Sequence, residues 1–233
     1  MVAAPAELLN MRGWVHQEVY DLAESARLNE ECSRVAHDLG EIESEANALV
    51  NLGVDHMWLG DLVPAEDLFA QAWDLLEKQF GGFRWRWKTR LLAAWGELRL
   101  SQGQVDQALD YAEQCLELAR KTSSRKNLVK GYKLKGEALA TTGRLQEAAI
   151  WIAKAAHLAE KVSNPPLIWK SHYALGEVLD RQEHRQQAQA EYALAATIVM
   201  ETATGLADPH LRETFLDAGP VRSVLNAAGR LQG

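Results

Sequence analysis

Five glycines, Gly13, Gly53, Gly96, Gly136 and Gly176, recur at intervals of 40, 43, 40 and 40 residues. Each sits inside a segment of helical character, as in KNLVKGYKLKGEALATTG, where glycine costs roughly 1 kcal/mol relative to alanine. A cost repeated at one period needs a packing reason, and the reason glycine supplies is close approach of a second helix. The chain therefore reads as an internal repeat.

The rest of each repeat agrees. Twelve residues after each glycine stand Ser25, Ala65, Ala108, Ala148 and Ala188, and nineteen after stand Cys32, Ala72, Cys115, Ala155 and Ala195, all small. Sixteen after come Asn29, Phe69, Ala112, Ile152 and Tyr192, mostly larger, and these three offsets share one face of a second helix. Each unit is thus a helical hairpin. Gly60, Gly103 and Gly143 lie seven residues past the interior glycine, where a helix ending in the left-handed conformation favours glycine. Repeats one and five carry Tyr20 and Glu183 there, so those turns differ or tolerate strain. Asn164-Pro165 and Ser123 or Ser124 before Arg125 mark helix starts.

The expected fold is all-α: ten helices in five hairpins spanning residues 1–205, near 6–38, 41–79, 83–121, 125–162 and 165–203. Beyond them, residues 206–233 carry an Asp208-Pro209 helix start, a break at Gly219-Pro220 and the apolar Leu211, Phe215, Leu216, Val221, Val224 and Leu225. These form a terminal cap over the array.

The Leu52-Gly53 and Leu175-Gly176 pairs, with Ala65 to Phe69 and Ala188 to Tyr192, match the Leu-Gly and Ala-x-x-x-aromatic parts of the tetratricopeptide signature, in repeats longer than the usual 34 residues. The segments WRWKTRLLAAWGELRLSQGQVDQALDYAEQCLELARKTSSRKNLVKGYKLKGEALATTGRL and NPPLIWKSHYALGEVL further resemble the C-terminal repeat regions of large bacterial regulators, including maltose-regulator-like transcription factors and signalling ATPases or cyclases. The resemblance implies a right-handed superhelical solenoid serving as a sensor or interaction module. No GxxxxGK[ST] loop or DNA-reading helix pair stands outside the repeats, so the chain reads as a stand-alone adaptor or a portion of something larger.

In tetratricopeptide solenoids the first helix of each hairpin lines the concave surface. Its exposed stripe here carries Arg90, Lys130 and Lys170 six residues before the glycine, Ala93, Lys133 and Tyr173 three before, and Glu97, Glu137 and Glu177 one after. Arg90 and Glu97 are ~10 Å apart along one helix, beyond the usual three- or four-residue ion pair. Like charges on stacked helices would repel by about 0.4 kcal/mol per pair in water. A basic ladder of this kind, extended by Arg86, Lys126 and Lys133, suits the acidic side chains or carboxylate of a partner, with the glutamates orienting its cations. The competing reading is a solvated charged face. Repeats one and two put Asn10, Trp14 and Gln17, then Val50, Val54 and Met57, on the same stripe, a more apolar stretch suited to an anchoring side chain; Trp14 equally suits a place under an N-terminal segment or against a neighbouring subunit. Of the Lys, Asn and Arg clamp by which some chaperone-binding relatives hold a C-terminal carboxylate, only Asn51 and Arg90 match; Asn10, Trp14 and Ala94 depart from it.

Catalytic chemistry has little to stand on. Cys32 and Cys115 occupy small-residue contact positions and read as buried apolar groups. The seven histidines show no HExxH or close pair, so no metal or other cofactor is expected. The tryptophans read as filling between hairpins. A formal charge of −7 argues against general affinity for nucleic acid or anionic membrane, and no stretch reaches the ~18 apolar residues that span a bilayer. The expectation is a cytoplasmic, non-enzymatic adaptor binding a protein or peptide, one with an acidic segment fitting best. The alternative is an effector-sensing regulatory domain for a small molecule or signalling peptide. Oligomeric state stays open, because an uncovered solenoid end can pair with itself.

Overall fold

The computed structural model describes residues 6–78 and 84–229. Its twelve helices among these residues are α1 (Ala6–Glu18), α2 (Leu22–Leu39), α3 (Ile42–Leu59), α4 (Leu62–Lys78), α5 (Arg84–Ser101), α6 (Val105–Lys121), α7 (Arg125–Thr141), α8 (Leu145–Val162), α9 (Pro165–Arg181), α10 (Arg185–Gly205), α11 (Pro209–Asp217) and α12 (Gly219–Gly229). No strand occurs among the described residues, and the all-helical expectation holds. The chain divides into two compact units, residues 1–103 and 104–233.

In the first unit α1 packs on α2, α2 on α3, α3 on α4 and α4 on α5, while α3 also touches α1 and α5. With neighbours on every side, α3 buries ten consecutive residues, Ala46 through Asp55. Its core partners include Phe69, Leu76, Leu91 and Leu98. In the second unit α6 to α10 pack successively in the same way, and α12 then lies on α10 with α11 beside both. Phe215, Val221 and Val224 of the two last helices are fully buried. Burial of each such side chain contributes roughly 1.5–3 kcal/mol.

The interior glycines do what their spacing implies. A Cβ on Gly53 would fall 2.6 Å from Phe69 Cδ1, one on Gly176 2.6 Å from Tyr192 Cδ1, and one on Gly13 2.6 Å from Asn29 Nδ2. On Gly136 it would collide with Ile152 and stand 3.1 Å from the Ala148 carbonyl oxygen. Each of these four glycines is therefore a socket for the side chain sixteen positions later. This socket is the contact that fixes the hairpin.

The turns are uniform where the sequence is not. Gly60 and Gly143 take φ of 90° and 79°, and Tyr20 and Glu183 adopt the same left-handed conformation at 61° and 63°. Repeats one and five thus tolerate strain and keep the turn. Tyr20 recovers some of that cost by stacking on Trp58, ring centroids 5.0 Å apart. The helix starts are capped as expected at Asn164, which accepts from Leu167 N at 3.2 Å, and at Asp208, which accepts from His210 N at 2.9 Å.

Both cysteines are buried and free. Cys32 donates to the Ala6 carbonyl at 3.2 Å, and burial pushes its thiol up to about 11, away from nucleophilic use. The tryptophans fill gaps: Trp169 is buried, and Trp73 meets Trp95 edge-on at 6.1 Å.

Candidate functional site

The sequence-derived stripe separates into two quite different surfaces, one in each unit. In the first, polar groups turn inward. Gln17 of α1 donates to Asp55 Oδ1 of α3 at 2.7 Å and to the Asn51 carbonyl at 2.9 Å, while Ser25 of α2 donates to Asp55 Oδ2 at 2.7 Å. Asn51 Nδ2 donates to Asn29 Oδ1 at 2.9 Å, and Asn10 reaches the same oxygen at 3.4 Å. Arg90 of α5 closes the set: its guanidinium donates to Asn47 Oδ1 at 2.7 Å, to Gln17 Oε1 at 3.3 Å and to Asn51 Oδ1. Four helices are thereby joined by one hydrogen-bonded cluster.

Its charges carry the marks of a low-dielectric setting. Asp55 is 1% exposed, and burial raises its carboxyl to about 6 against the pull of its hydrogen bonds and of Arg90. Burial likewise lowers the Arg90 guanidinium to about 10, opposed by Glu18 and Asp55. Such a cluster is held by mutual satisfaction, because an unpartnered buried polar group costs ~1–3 kcal/mol.

This placement changes the reading of several site residues. Asn51 is fully buried, and Arg90, although partly accessible, is committed to Asn47, Asn51 and Gln17. Gln17, Val50 and Val54 are also buried, so the stripe over repeats one and two is core where an open groove was expected. The cause is α3's enclosure by four helices. At the surface remain Trp14, whose Nε1 donates to Glu18 at 3.0 Å, and Arg86, stacked 5.0 Å over Trp87; Glu97 is half-buried. The sequence did contain a signal for the cluster. Ser25, Asn29, Asn51 and Asp55 place polar groups at register positions that other repeats fill with alanine, leucine, valine or larger apolar residues.

In the second unit the stripe stays accessible on the neighbouring helices α7 and α9. Lys126 is exposed, and Lys130, Lys133, Lys170 and Tyr173 are half-buried. Lys133 pairs with Glu137 four residues on, at 2.8 and 2.9 Å, so part of the charge is neutralised within one helix, where the ladders were expected to stay separate. Glu177 remains accessible, yet crowding by protein atoms raises its pKa; Glu137 nearby adds to this, while Tyr173, Lys133 and Arg181 counter it. Basic and acidic groups on α7 and α9 are thus held beside one another on one face. Among the described residues no cluster of His, Cys, Asp or Glu could hold a metal ion, and no helix is long and apolar enough to cross a membrane.

Helical hairpins locked socket-to-side-chain at a period near forty residues define a helical repeat fold that resembles tetratricopeptide-like solenoids. Residues 44–121 match the family model described as tetratricopeptide repeat. Among solved structures, a Rap protein complexed with competence and sporulation factor superposes with a TM-score of 0.74 at 15% identity, covering 96% of this chain and 66% of that one. Bacillus thuringiensis PlcR in complex with the peptide PapR7 and DNA gives 0.69 at 15% identity, covering 97% and 74%. BtubC from P. vanneervenii gives 0.61 at 16% identity, covering 91% and 85%. At these identities the likeness is one of fold, and a comparison with curated proteins finds no match.

Proposed function

We propose that the chain is a peptide-binding tetratricopeptide scaffold whose receiving surface is the α7/α9 face. The observation that carries this is the set of Lys126, Lys130 and Lys170 on two adjacent first helices, with the Glu137–Lys133 pair and Glu177 between them. Lysines supply mobile point charges for an acidic segment, and the glutamates repel a misplaced one, giving direction as well as affinity. The fold supports the reading, since PlcR, of similar fold, was solved with a peptide. Arg90 and Asn51 serve this function indirectly, by holding the first unit together.

The test is affinity capture from source-cell lysate with mass spectrometry, comparing wild type with a Lys130→Glu, Lys170→Glu variant of unchanged helical signal. A peptide or protein retained by wild type and lost by the variant supports the scaffold. Retention by both sinks the α7/α9 surface. A second reading, a sensing domain for a signalling peptide within a regulator, draws on PlcR having been solved with both peptide and DNA; capture of a short secreted peptide in place of a protein would favour it.

A further inference from the structure

Each first helix after α1 hides the flank that faces the preceding hairpin. Aligned on the interior glycines, Leu8, Met11 and Val15 of α1 correspond to Ala48, Asn51 and Asp55 of α3, to Leu134 and Ala138 of α7 after Gly131, and to Ser171, Ala174 and Val178 of α9. All of those counterparts are buried, because α2 covers α3, α6 covers α7 and α8 covers α9. On α1 no described helix takes that place. Leu8, Met11 and Val15 are 47%, 64% and 49% exposed. Among the described residues α1 thus presents an uncovered apolar flank with larger side chains than the buried interfaces use.

Two further features select what covers it. The spacing of Leu8, Met11 and Val15 by three and then four residues is a heptad seam, and the exposed Glu7 and Arg12 flank it at the positions that meet across a parallel helix pair, five residues apart. In such a pair Glu7 of each helix faces Arg12 of the other, so the face is complementary to itself in charge as well as apolarity. The outer face of α10 offers no substitute, since α12 with α11 covers it.

We propose that this flank is a self-association surface: two copies pair through α1, parallel and side by side, with Leu8, Met11 and Val15 in the seam. The seam, from Leu8 to Val15, is little more than one heptad long, so the dimer is weak and concentration-dependent.

Sedimentation equilibrium over roughly 1 to 500 µM tests it, a span centred on the affinities of weak interfaces. Wild type is expected to pass from monomer to dimer, and Met11→Glu to remain monomeric with unchanged circular dichroism. Glu7→Arg alone weakens the dimer, and adding Arg12→Glu restores it. Met11→Cys and Val15→Cys should each form a disulfide with their own copy under oxidation, which only the parallel arrangement predicts. A wild-type monomer throughout, which would leave the flank to residues 1–5 or to a different protein, overturns the proposal. So does a dimer that Met11→Glu leaves intact.

Discussion

Gln17 Nε2 donates to Asp55 Oδ1 over 2.7 Å, tying the first helix of the array to the first helix of the next hairpin inside a nearly dry cluster. The carboxyl of Asp55, raised to about 6 by burial, keeps its proton in the folded chain between roughly pH 4 and 6, where the unfolded chain has released it. The folded state therefore binds more protons in that window, and stability through Asp55 falls as pH rises across it. Urea denaturation should find wild type gaining ~1–2 kcal/mol on going from pH 7 to pH 4.5 relative to Asp55→Asn. Parallel pH dependence in the two proteins would sink this account.

Among the described residues Arg90 is the cation that donates to three of the cluster's members, and its removal leaves Asn47 Oδ1, Gln17 Oε1 and Asn51 Oδ1 short of a donor. Arg90→Met is expected to destabilise the chain by ~2–4 kcal/mol, read as a lowered urea midpoint. If Arg90 were only a solvated surface charge, the change would stay within about 0.5 kcal/mol.

The socket glycines should not tolerate a methyl group. In Gly176→Ala the new Cβ meets the Tyr192 ring, which is 6% exposed and packed in place. A loss of ~1–3 kcal/mol is expected from overpacking, despite alanine's better helix propensity. Tyr192→Ala in the same background should recover part of it, and a double-mutant cycle measures the coupling; additive losses would contradict direct contact.

At Glu183 the strain is open to relief. The residue is exposed and holds φ of 63°, so Glu183→Gly is expected to stabilise by ~0.5–1 kcal/mol, seen as a Tm raised by a few degrees. An unchanged or lowered Tm would mean that Glu183 makes a compensating contact.

How far the sequence carried the reading depended on whether a residue obeyed the repeat. Gly53 with Phe69 and Gly176 with Tyr192 sit at one offset, and period plus residue size was enough to foresee the contact. The left-handed turns at Gly60 and Gly143 followed from glycine's backbone freedom in the same way. The stripe was harder, because exposure is a property of neighbours and not of periodicity: Val50 and Asn51 share the register of an open face, yet α1, α2, α4 and α5 enclose them. Lys133 and Glu137 were placed correctly on α7, but their pairing turned on a four-residue relation that was weighed only for Arg90 and Glu97. Asn29, in the register of Phe69, Ile152 and Tyr192, was in fact the visible corner of a polar cluster.

The placement of α12 on α10 also bears on how such an array can lengthen by gene duplication. Copying a forty-residue unit after α10 would strand Val221 and Val224 away from the surface they cover and expose two apolar faces at once. A unit copied between existing hairpins would bring its own socket glycine, small residues and turn, and meet neighbours of the same shape. New repeats are therefore expected to enter from within the series, with the final pair of helices carried outward unchanged.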